Sequence, residues 1–204
     1  MLPVSFISGS SGMAKVARLA RGRAPLITAA GWLLFGGCGG GGGGAVVVGP
    51  SSDPGCSAVV TPVPNEGWSH VPEGSVVGYR ANPPASGPHY PVWARYQEHA
   101  VAVARPYWVH NLEHGAIVFL YRPDAAAAVV SALREAYQSL PNDPACGHRR
   151  ALLTPDPSLP RATAVVAADF VVAADCVNAG VIRDFATGRR GLGPEQVCAD
   201  GSRP

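Results

Sequence analysis

His70, His89, His110, Glu113 and His114 stand out as candidate metal ligands in one stretch of this chain. The densest part is His110-Asn111-Leu112-Glu113-His114-Gly115, with two histidines four residues apart. In a strand, that spacing puts the rings roughly 13 Å apart at 3.3 Å per residue, too far to share an ion. In a helical turn it brings the Cβ atoms to roughly 5–6 Å, which suits a shared ion. The pair therefore predicts a helical turn, with Gly115 ending it at a positive φ. His89 sits in Asn82-Pro83-Pro84-Ala85-Ser86-Gly87-Pro88-His89-Tyr90-Pro91. Proline fixes its own φ and pushes the residue before it to extended conformations, so this segment is a stiff loop that holds its histidine in place. His89, His110 and His114 together predict a three-histidine site. His70 or Glu113 would be the fourth ligand, or Glu113 would orient an imidazole from behind. Neutral imidazole binds copper, zinc, nickel and iron, and copper or zinc is the expected ion.

Two other readings use the same residues. The histidines and Glu113 could brace irregular backbone, because proline-rich loops lack ladder bonds and their polar groups need partners. Alternatively, His-x-x-Glu-His is the string of inverted zinc peptidases, which suggests a metal-assisted hydrolase. That chemistry needs a sustained helix and a carboxylate from a downstream helix. The clear strand from Ala116 argues against the helix, and Asp175 and Asp184 stand in no matching motif. Ser86 has no Gly-x-Ser-x-Gly context and reads as a turn residue. No catalytic residue is assigned, and metal binding without catalysis is the favoured reading.

The elements that position these groups are legible in part. Ala116 to Tyr121 is a continuous β-branched and aromatic run, hence a strand. Asp124 to Leu140 predicts a helix, capped by Asp124, striped by Val129, Val130, Leu133, Ala136, Tyr137 and Leu140, and stopped by Pro141. Strands are expected at Arg150 to Thr154 and, as one or two, within Thr163 to Ala174. Shorter ones are expected at Ser75 to Tyr79 and Val101 to Val103. Val177 to Ala186 reads as a second helix with Gly188 as its stop. Strands and helices without regular alternation predict an α+β fold: a small, mainly antiparallel sheet with helices packed on one face and long Pro-rich loops.

The N-terminal region reads as targeting rather than fold. Lys15, Arg18, Arg21 and Arg23 precede an apolar run from Ala24 to Phe35, which closes on Gly36-Gly37-Cys38. This order is that of a secretory signal with a lipoprotein cleavage site, and the run falls short of the roughly 20 residues of a membrane span. The expected organisation is a signal over 1–37, a glycine-rich tether over 38–53 and one globular domain over 54–204. Cys38 would carry the lipid that holds the protein to a membrane of the bacterial cell envelope, facing the periplasm or on the outer membrane. Of 16 basic and 14 acidic residues, the segment 1–37 takes four basic ones, leaving 12 against 14 and a net −2. No basic stripe survives to bind nucleic acid. Cys56, Cys146, Cys176 and Cys198 form an even set that predicts two disulfides in an exported chain. Four cysteines permit three pairings; Cys146–Cys176 and Cys56–Cys198 are preferred, as a local staple and a clip across the domain's ends.

The proline loop and the His110–Gly115 motif together resemble the bacterial domain-of-unknown-function family 3105. His70 in Gly67-Trp68-Ser69-His70-Val71, His89, His110, Glu113 and His114 all match its pattern, over about Trp68 to Pro123. His99 and His148 lie outside those motifs. The resemblance implies a family, not an activity.

Overall fold

A computed structural model describes residues 52–204. The expectations for the signal, Cys38 and the glycine tether concern residues outside that range, save its last two positions. A five-stranded sheet is built from β1 (Val60–Pro62), β2 (Ile117–Tyr121), β3 (Ala151–Pro155), β4 (Thr163–Ala167) and β5 (Phe170–Ala174), in the order β1-β5-β4-β2-β3. Three helices accompany it: α1 (Arg105–Glu113), α2 (Ala127–Ser139) and α3 (Ala179–Arg189). Every pairing is antiparallel except β2 with β3. Two parallel neighbours need a crossover, and α2 supplies it. The fold is the expected small α+β domain with a mostly antiparallel sheet.

Alternation along the central strands explains why both faces are covered. Ile117 and Phe119 of β2 join Leu133 and Tyr137 of α2 and Ile182 and Phe185 of α3 in one core. Val118 and Leu120 point the other way, into a second core with Trp108, Val109 and Leu112 of α1 and Ala85 and Ala94 of the loops. The two anticipated helices do share one face, while α1 and the Pro-rich loops cover the other. A continuous apolar run such as Ile117-Val118-Phe119-Leu120 is what a strand buried on both sides requires.

Several boundaries differ from the sequence reading. Arg122 and Ala125 first close a turn (Ala125 N to Arg122 O, 2.9 Å), so α2 starts later, at an Ala126 N-cap with no side-chain cap bond, while Asp124 pairs with Arg122. Asn178 caps α3, accepting from Val181 N at 3.1 Å, and Gly188 lies inside the helix rather than stopping it. Residues 163–174 form two strands, turned at Asp169 with φ 62°. Ser75–Tyr79 and Val101–Val103 are not strands. Val76 projects fully into solvent, and Val103 meets β3 through the Thr154 hydroxyl (3.0 Å) rather than through a ladder.

The cysteines pair differently from the preferred assignment. Cys56 bonds Cys176 and Cys146 bonds Cys198, with Cα separations of 5.9 and 5.1 Å. The first ties the segment before β1 to the end of β5, an arrangement already set by the β1–β5 pairing. The second pins the C-terminal segment beside the loop after α2. Both bridges fit an oxidising compartment outside the cytoplasm. No helix of the described residues is long and apolar enough to cross a membrane.

Candidate metal centre

The site is assembled on the α1 side of the sheet. Helix α1 starts at Arg105 with Pro106 in its first turn, where a missing N–H costs nothing, and its last turn carries His110 and Glu113. His114 is the C-cap, and Gly115 follows at φ 75°, turning the chain into β2 as the spacing predicts. The helix is buried all round, polar side chains included: His110, Asn111, Glu113 and His114 are all nearly inaccessible.

Two loops bring the other histidines to this turn. Residues 69–71 and 87–89 run side by side, with Val71 N donating to His89 O (2.8 Å) and His89 N to Ser69 O (3.0 Å). That pairing sets the His70 and His89 rings 4.8 Å apart. Gly87 has φ 125°, and a Cβ there would meet the Tyr79 ring at 2.9 Å, so only glycine fits. Buried Ser86 accepts from Glu66 N at 2.8 Å, which ties the proline loop to the segment before His70. Asn111 clamps a further loop by holding both polar groups of the Ala94 backbone. Trp93 is thereby laid against His110 and His114, with ring centroids 4.9 and 4.5 Å away.

The donor atoms converge on one carboxylate oxygen. Glu113 Oε2 lies 3.0 Å from His89 Nε2, 3.5 Å from His70 Nε2 and 3.7 Å from His110 Nε2. All four ligand atoms lie within 4.8 Å of one another. For zinc–nitrogen bonds of about 2.0–2.1 Å, the edges of a coordination tetrahedron are about 3.3 Å. Glu113 Oε2 thus stands near one tetrahedral edge from each of three imidazoles, a spacing that suits a transition metal. His89 and Glu113 are buried, while the His70 side chain is half exposed and leaves one side open.

Tautomers sharpen the point. His89 Nδ1 lies 2.8 Å from Gly87 O, and His110 Nδ1 lies 2.6 Å from Tyr90 O. A carbonyl only accepts, so each Nδ1 carries the proton. Nε2 is then the atom each ring has left for a ligand: that of His89 lies 3.0 Å from Glu113 Oε2, and that of His110 lies 3.1 Å from His114 Nε2 and 3.7 Å from Glu113 Oε2. A lone pair facing a carboxylate repels it unless a cation stands between them. Burial holds the pKa of His110 down to about 4, against the opposing pull of the Tyr90 carbonyl and with help from the neighbouring histidines. Burial likewise lowers His114 to about 4, with His89 and His70 adding to the effect. Near neutral pH the His110 ring is therefore uncharged, its one proton on Nδ1, and a second proton on this ring is not the missing cation. Backbone carbonyls fixing the far nitrogen of ligand imidazoles are a familiar supporting arrangement in metal sites.

His114 stands one step away. Its Nε2 is 3.1 Å from His110 Nε2 and 3.4 Å from Glu195 Oε2, and its buried Nδ1 has no hydrogen-bond partner among the described residues. Glu113, His114 and Glu195 form a second group of ligand atoms, again within 4.8 Å.

A family model described as a protein of unknown function (DUF3105) matches residues 70–200. The chain belongs to this family. The DUF3105 match runs well beyond the motif region around Trp68 to Pro123, through the C-terminal cysteine. No curated protein and no solved structure matches the chain.

Within this DUF3105 domain, the predicted ligands His70, His89, His110 and Glu113 meet in one group, and His114 adjoins it. His99 bonds Arg95 O and His148 bonds Cys198 O, and neither belongs to a ligand group. Asp175 is occupied by Arg161 and the Ala162 amide, and Asp184 pairs with Arg183. A helix does run through His110 and Glu113, contrary to the strand-based argument, but it ends at His114, and neither of those aspartates joins the group. Sequence reasoning missed Glu195 and Trp93. The only signal near Glu195 was Cys198, which marked the tail as anchored without saying where.

Proposed function

We propose that this protein is a non-catalytic metal-binding module of the bacterial cell envelope, holding copper or zinc through His70, His89, His110 and Glu113. The observation that carries the reading is the gathering of three imidazoles round a buried carboxylate, two of them held at Nδ1 by backbone carbonyls so that Nε2 is left as the ligand atom. Three nitrogens and one oxygen suit zinc and Cu(II). Four protein donors fill a tetrahedral shell, which favours holding an ion over hydrolysis at it. Bracing accounts for the Nδ1 bonds to Gly87 and Tyr90, which fix the loops, but it does not require three imidazoles and a carboxylate to gather their ligand atoms at one point. On this reading the domain is exported and held at the membrane by a lipid on Cys38, with the glycine run as its tether. The leader pattern and the disulfides support that placement.

The test is metal analysis of the purified full chain after exposure to copper and to zinc, beside His89→Ala and His110→Ala. Near-stoichiometric ion in the wild type, lost from both variants while their circular dichroism stays native, is the expected result. A wild type that remains metal-free with both ions would leave only the bracing role.

A further inference from the structure

The second ligand group is too well placed to be a surface accident. Glu195 lies beyond α3, on a C-terminal strap that folds back over the last turn of α1. Gly191 N donates to Gly115 O at 2.8 Å, and Glu195 N donates to Glu113 O at 2.9 Å. The approach is so close that a Cβ on Gly193 would stand 2.2 Å from Glu113 O, and one on Gly115 would stand 2.8 Å from Gly191 Cα. Only glycine permits this backbone-to-backbone packing. Cys198 then locks the strap to Cys146.

The result is a carboxylate delivered to His114. Its Oε2 is 3.4 Å from His114 Nε2, again close to a coordination edge of about 3.3 Å. His114 is buried, its Nε2 meets His110 Nε2 at 3.1 Å, and its Nδ1 makes no hydrogen bond among the described residues, so no backbone group fixes the ring. Glu113 belongs to both ligand groups. A carboxylate shared by two adjacent donor sets is how paired ions about 3.5–4 Å apart are commonly held.

We infer that the site binds two divalent transition ions, the second held by His114 and Glu195 and bridged to the first by Glu113. This rests on the metal-binding reading above and extends it. The two positions differ in kind. The first is ringed by four protein donors, whereas the second has three and faces solvent through Glu195, whose side chain is 52% exposed. Three donors leave a coordination position for water or a small anionic ligand, so the second ion is the exchangeable one.

Glu195→Gln tests this with little risk to folding, because the side chain is half exposed and its backbone bond to Glu113 is kept. The full chain is loaded with excess zinc chloride, freed of loose ion by gel filtration, and its bound zinc counted by native mass spectrometry. The expected counts are two per wild-type chain and one per Glu195→Gln chain, with the second zinc bound at least roughly tenfold more weakly in the variant. One zinc in both proteins would overturn the paired site and leave the metal-binding reading standing, as would two in both. No zinc in the wild type, with copper also failing, would overturn both.

Discussion

Replacing Glu113 by glutamine should move stability in opposite directions with and without metal. With Nε2 bare on His89 and His110, the premise under test, the carboxylate of the metal-free protein faces two lone pairs at 3.0 and 3.7 Å. A buried acceptor without a donor costs about 1–3 kcal/mol. Glutamine keeps the shape and supplies an amide N–H that can donate to His89 Nε2. Relief of one such acceptor, less the imperfect fit of a single amide, should stabilise the metal-free variant by about 1–2 kcal/mol. For a chain of this size that is an upward shift in Tm of roughly 2–8 °C. With zinc the order should reverse. At zinc a hundredfold above Kd the wild type gains about 2.7 kcal/mol, whereas a variant bound a hundredfold more weakly gains only about 0.4 kcal/mol. Thermal melts in chelator and in zinc, on both proteins, would show the curves exchanging places. If Glu113→Gln instead melts below wild type in chelator, the carboxylate was accepting N–H bonds from the imidazoles. The lone-pair argument would then be wrong.

The metal-free protein should lose stability as the pH falls from about 6.5 towards 4. His110 and His114 take up protons near 6.5 when unfolded but only near 4 when folded, so acid favours the unfolded chain across that window and the loss levels off below it. The two rings touch and titrate as a pair, giving a combined loss of roughly 3–5 kcal/mol, checked by urea titration in chelator at several pH values; a flat profile would contradict the burial of these rings. Gly115→Ala must accept φ 75° and displace Gly191, so it should cost about 2 kcal/mol or more and weaken zinc binding by lifting the strap. An alanine variant with native stability and zinc count would disprove the packing described. For the membrane link, a fatty-acid analogue should label the wild type and not Cys38→Ser in cells; equal labelling of both would exclude the lipid anchor.

Much of the fold was legible because some elements advertise themselves locally. β2 is a β-branched and aromatic run bounded by Gly115 and Pro123, and α2 shows a stripe at helical period before Pro141. Even the turn holding His110 and His114 followed from spacing, since only a helix lets them meet. Helix α1 as a whole was hidden, for a physical reason. Its polar residues are buried with its apolar ones, so no hydrophobic contrast marks an inner face. The candidate ligands were equally visible as residue types, because four of the six histidines fall in or beside the two motifs. Their partition was not. His70, His89, His110 and Glu113 form one group only because residues 69–71 pair with residues 87–89 over the end of α1. The cysteine pairing and the arrival of Glu195 at His114 also belong to the tertiary structure. They depend on where the segment before β1 and the tail after α3 cross the sheet. Links spanning 120 and 52 residues leave no trace in local spacing. Sequence by itself determined which donor side chains are at hand; the long-range backbone contacts decided which of them meet.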